Sequence, residues 1–129
     1  MEHEAAFIKS FVLPEKQARW LELLPNAKRR HIFLHRLADD RDFNPKFRVD
    51  IIPSQQKPES VERILKQNGA PERCYVISES PDIDGKEMPL SEALEEVLGY
   101  GMGSLLSCIP GKLVYYEGEM LSDRYILKK

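Results

Sequence analysis

Three side chains on one stretch have the spacing of a metal site. His31, His35 and Asp39 recur at i, i+4 and i+8. On a continuous α-helix they would lie along one side, where two imidazoles and a carboxylate can meet one zinc ion. The pattern stops short of a site, because no Glu follows His31 as in the zinc-protease helix and Asp39 falls at the helix end. The ordinary alternative is one boundary histidine and one solvated histidine paired with Asp39. No metal and no cofactor are expected.

Nucleophilic chemistry would fall to Cys74 or Cys108, with His3, His31 or His35 as the imidazole base. All three histidines belong to the N-terminal third and both cysteines to strand-like segments, so only the fold can bring them together. No Gly-x-Ser-x-Gly elbow is present. Two small buried thiols are expected rather than a disulfide.

A basic cluster comes next. From Lys28 to Arg48 there are seven basic residues against three acidic ones, and from Val49 onward nine against fourteen. A helix over 27–38 presenting Lys28, Arg29, Arg30 and Arg36 could track phosphates, which makes nucleic-acid binding one alternative function. The basic residues scatter around that helix, however, and the acidic second half supplies partners. Internal pairing is the first expectation.

Gly99-Tyr-Gly-Met-Gly103 has the glycines of a phosphate loop in the reverse context. Phosphate loops follow a strand and open a helix, whereas these glycines close a helix and lead into a strand. Gly99 reads as the helix cap and Tyr100 as an exposed amphipathic contact for a ligand or partner. The acidic run Glu79, Asp82, Asp84 and Glu87 lacks the spacing of a calcium loop and reads as a turn.

These residues need elements to hold them. At 129 residues with 42% hydrophobic and 31% charged side chains, the chain is expected to form a single globular domain. Its helical part is 1–38: segments 2–12, 14–24 (restarted by Pro14) and 27–38. After a polar loop at 39–45 comes a sheet-centred part, 46–129. Strand-like runs at 47–51, 73–78, 103–109, 112–116 and 124–127 alternate at first with helices opened by Pro58 and Pro89. The expectation is an α+β fold: N-terminal helices followed by β-α-β-α-β-β-β, with a mixed sheet of about five strands. The early strands would join through parallel crossovers, and a C-terminal antiparallel meander would follow.

The meander is apolar on both faces, through Leu113, Val114, Tyr115, Tyr116, Tyr125 and Ile126. If the helices cover only one face, the other is an interface. Tyr115 and Tyr116 join Tyr100 on that ground as candidate ligand- or partner-binding residues, and the chain would form a homodimer through its sheet. The expected function is therefore a non-catalytic module that binds a protein or ligand. The alternatives are nucleic-acid binding through 27–38 and a small enzyme with a Cys or His/Asp site. The net charge of −2 gives no strong global field. No apolar run approaches the roughly 18 residues needed to span a bilayer, and Met-Glu-His-Glu lacks the start of a signal peptide, so a cytoplasmic protein is expected.

Overall fold

A computed structural model describes residues 2–129. Two helices open the chain, α1 (Glu2–Phe11) and α2 (Pro14–Leu23), with Pro14 in the first turn of α2 as expected. The third helix differs from its expectation. Residues 27–29 form turns, α3 covers only Arg30–Phe33, and Leu34–Ala38 tighten into a 3-10 helix.

The remaining elements are β1 (Arg48–Asp50), α4 (Pro58–Gln67), β2 (Arg73–Ser78), β3 (Glu87–Pro89), α5 (Leu90–Val97), β4 (Ser104–Ile109), β5 (Leu113–Glu117) and β6 (Arg124–Lys128). The strands form one six-stranded sheet in the order β1-β6-β5-β4-β2-β3. The α+β class, the N-terminal helices and the C-terminal meander are all present.

Every pairing is antiparallel, so the sheet is not mixed. The reason is a short strand where a turn running into the helix at Pro89 was expected. Glu87-Met88-Pro89 turns back beside β2, with Tyr75 opposite Glu87. That reversal is followed by the return along α5. The chain therefore enters β4 running against β2, where a direct β2-helix-β4 unit would have run with it. Strand β1 sits at the far edge on β6, with Val49 opposite Ile126, so three strands separate it from β2.

Side chains alternate across the sheet. Tyr75, Ile77, Leu105, Val114, Tyr116, Tyr125 and Leu127 point into a core with α1, α2 and α3. Val76, Leu106, Leu113, Tyr115 and Ile126 point the other way, onto α4 and α5. Helices thus cover both faces, and no open sheet face exists among the described residues.

This corrects the expected interface. Tyr115 and Tyr116 are each 0% exposed. The Tyr116 hydroxyl donates to the Leu37 carbonyl at 2.7 Å, and the Tyr115 hydroxyl donates to Glu117 at 3.0 Å. Both are core residues whose polar ends are satisfied inside the fold. The sheet face is not available to a second copy. No described helix is long and apolar enough to cross a membrane.

Candidate functional site

The fold disperses the proposed metal ligands. A 3-10 helix makes about three residues per turn rather than about 3.6, so His35 and Asp39 leave the line of His31. His35 Nδ1 lies 3.0 Å from Glu79 Oε1, and Asp39, in extended backbone, pairs with Arg41 at 2.7 Å. Among the described residues no cluster of three or more His, Cys, Asp or Glu side chains could hold a metal.

Nor are the thiols activated. Cys74 and Cys108 are unpaired, buried and on neighbouring strands, one residue beyond the Tyr75–Ser107 pair. Burial pushes the Cys74 thiol up to about 12 and Cys108 higher still. That is the opposite of an activated thiolate. His3 lines one hollow of about 450 Å³ with both cysteines, but its Nδ1 is engaged 2.7 Å from Ser107 Oγ and its ring stacks on Tyr75 at 5.4 Å. Burial lowers the His3 pKa. Ser107 itself is 0% exposed, so this pair joins α1 to the sheet and presents no nucleophile.

The basic residues divide. Arg30 donates to Asp84 from Nε at 2.7 Å and Nη2 at 2.9 Å, and its Nη1 meets Glu4 at 2.8 Å. Arg36 grips Asp42 in the same two-pronged way. Arg30 is therefore a bolt between the helical part and the acidic half, as internal pairing predicts. Lys28 and Arg29 stay exposed. Of the acidic run, Asp84 holds Arg30 and also accepts the Ser78 N–H at 3.0 Å. It acts in a turn, as expected.

What remains is a pair of loops at one end of the sheet, 99–103 before β4 and 118–123 after β5. Two carboxylates fix the first loop. Glu117, 0% exposed, accepts the Gly99 N–H at 3.0 Å and the Gly101 N–H at 3.3 Å. Its other oxygen takes the Tyr115 hydroxyl and lies 3.6 Å from Arg124 Nε. Glu79 accepts the Gly103 N–H at 2.8 Å, and its own N–H donates to the Gly103 carbonyl at 2.9 Å.

Gly103 is required by close approach, since a Cβ there would sit 2.5 Å from the Leu37 carbonyl. The second loop docks on the same place, through Glu119 N–H donating to the Ala38 carbonyl at 2.9 Å. Both loops therefore rest on the end of the 3-10 helix.

They hold apolar side chains outward. Tyr100 is 68% exposed and Met102 40%, while Met120 is 65% and Leu121 74%. Between Val97, Tyr100 and Met102 lies a hollow of about 240 Å³ with Ser78 and Ser104 at its floor and Glu96 at its edge. The two hydroxyls are 2.7 Å apart. Ser104 Oγ donates to the Met102 carbonyl, and Ser78 Oγ accepts the Ser80 N–H. Each serine is thus spent on the loop and neither is poised for chemistry.

Sequence reasoning found Tyr100 but missed Met102, Met120, Leu121 and the anchoring carboxylates. Met120-Leu121 inside a polar turn was a usable signal, because apolar residues in a turn have no core to enter. No protein-family model, curated protein or solved structure matches this chain.

Proposed function

We propose that the protein is a non-catalytic binding module that receives an apolar segment of a partner protein on the loop pair 99–103 and 118–123. The observation that carries this reading is the anchoring. A carboxylate is costly to bury, and Glu117 is buried to hold a loop whose outermost side chain is a largely exposed tyrosine. Loops that serve only as connections do not need such fixing. A fixed loop lowers the entropy lost when a partner binds.

Two further observations support it. Among the described residues the loop pair carries four of the eight large apolar side chains that are exposed, which supports reading this end as an interface. Glu96 and Glu119 stand exposed beside it, so the complementary segment has an aromatic or aliphatic anchor flanked by Lys or Arg. A reducing, cytoplasmic location belongs to the same reading, since both thiols are unpaired.

Selection from a displayed peptide library against the whole protein tests the proposal. Enriched peptides should share an apolar anchor with basic flanks, and their amide NMR shifts should map to 99–103 and 118–123. Tyr100→Asp and Met120→Asp should each weaken binding by about tenfold or more. Peptides that bind both variants as well as the parent, or that map elsewhere, would remove the reading. Sedimentation of the parent and Tyr100→Asp shows whether a second copy competes for the same loops.

A further inference from the structure

The helical layer carries a second recognition surface that shares no residue with the loop pair. A hollow of about 360 Å³ opens between α2 and α3, lined by Arg19, Leu23, Arg29, Ile32, Phe33 and Arg36. We propose that it binds a small organic anion, an acidic head group on an aromatic or alkyl body.

The charge argument comes from accounting for the arginines. Arg30, Arg36, Arg41 and Arg48 all have carboxylate partners within the chain. Among the described residues, no carboxylate oxygen comes within 4.0 Å of Arg19, Arg29 or Arg63; Arg63 stands alone on α4, whereas Arg19 and Arg29 are both exposed at the rim of this one hollow.

Arg36 adds an oriented donor. Its Nε and Nη2 are held by Asp42, which is itself fixed by the Trp20 indole N–H at 3.0 Å. Among the described residues Nη1 of Arg36 has no hydrogen-bond partner. Three guanidiniums around one opening, one of them pre-aligned, match a carboxylate or phosphate head.

The apolar argument decides what the head is attached to. Phe33 and Leu23 form a buried floor at 6% and 7% exposure, and Ile32 stands at the wall with 61% of its surface in water. A bare inorganic ion would leave that apolar wall wet. An anion with a hydrocarbon body would cover it. The volume lies near the lower end of the roughly 300–1,000 Å³ typical of small-molecule sites, which favours a compact ligand over a folded partner. A nucleic acid is disfavoured as well, because Arg30 of the basic stretch is turned inward onto Asp84 and Glu4.

The chain's single tryptophan reports occupancy. Trp20 packs edge-on against Phe33 with centroids 4.9 Å apart, directly beneath the floor. Phenyl phosphate and benzoate are the probes, titrated into the whole protein with inorganic phosphate and benzyl alcohol as controls. Binding is followed by Trp20 fluorescence and by amide shifts at Arg19, Arg29, Ile32 and Phe33.

Either aromatic anion should saturate with a dissociation constant of roughly a millimolar or tighter, and the stronger of the two names the head group. Arg19→Gln with Arg29→Gln should weaken it about tenfold, and Ile32→Ser should do likewise while leaving inorganic phosphate unaffected. Equal binding of inorganic phosphate would reduce the site to an adventitious ion only and overturn the proposal. So would equal binding of benzyl alcohol. The proposal would also fall if both aromatic anions failed to bind while a single-stranded oligonucleotide bound with steep salt dependence.

Discussion

Of the four buried carboxylates, Glu4, Asp42, Glu117 and Asp123, the first three are matched by donors. Glu4 takes Arg30 and the Tyr75 hydroxyl, Asp42 takes Arg36 and the Trp20 indole, and Glu117 takes two loop N–H groups and the Tyr115 hydroxyl. Burial alone would raise Asp42, but hydrogen bonds from Arg36 and Trp20 hold it below the ordinary aspartate value. A carboxylate depressed in the folded state stabilises the fold above its unfolded pKa, near 4. That stability is lost as pH falls through the lower folded value.

Asp42→Asn should therefore cost about 1–3 kcal/mol at pH 7. It should also flatten the loss of stability that the parent is expected to show between neutral pH and about pH 3, as urea unfolding of both proteins would measure. Little of this pairing was legible in the sequence. The surplus of basic residues from 28 to 48 suggested internal partners. Which arginine meets which carboxylate depends on contacts such as Arg30 to Asp84, 54 positions apart, that no local pattern encodes.

At the level of elements, local signals served well where proline and glycine punctuate the chain. The starts of α2 and α4 at Pro14 and Pro58, and the end of α5 before Gly99, fall where those residues indicate. They failed where a short piece is made by its neighbours. Glu87–Pro89 has no strand pattern of its own and becomes β3 because β2 offers an unpaired edge. Residues 34–38 have helical periodicity but tighten to 3-10 where the Tyr116 hydroxyl takes the Leu37 carbonyl, the Glu119 N–H takes the Ala38 carbonyl and Gly103 packs against Leu37.

That junction is the tightest contact between the helical part and the sheet. Gly103→Ala would force a methyl group onto the Leu37 backbone. It should cost about 1–3 kcal/mol, the range for overpacking at a site that cannot relax. Thermal unfolding checks it, and a melting temperature unchanged from the parent would mean the loop is held less firmly than the geometry says.

Across the whole molecule the largest departure from expectation is that both faces of the sheet are covered. The apolar meander suggested an interface because alternation in sequence shows which residues share a face, not what packs on it. Here α1, α2 and α3 close one face and α4 with α5 close the other. The two kinds of tyrosine should behave oppositely. Tyr100→Asp should leave stability within about 0.5 kcal/mol of the parent, as exposed positions do. Tyr116→Asp should lose about 3 kcal/mol or more, since it buries an unpaired charge where the ring was. Denaturant midpoints of the two variants separate these outcomes.

The outermost strands have a last consequence. Each edge of the sheet ends in a three-residue strand. One carries the Arg48–Asp50 ion pair beside Val49, and the other ends in Pro89, which has no N–H to offer a neighbouring chain. Such edges are poor templates for adding a seventh strand. The protein can thus display Tyr100, Met120 and Leu121 to a crowded solution with its backbone ladder closed at both ends, so that association is selected by side chains and not by strand pairing that any extended peptide could join.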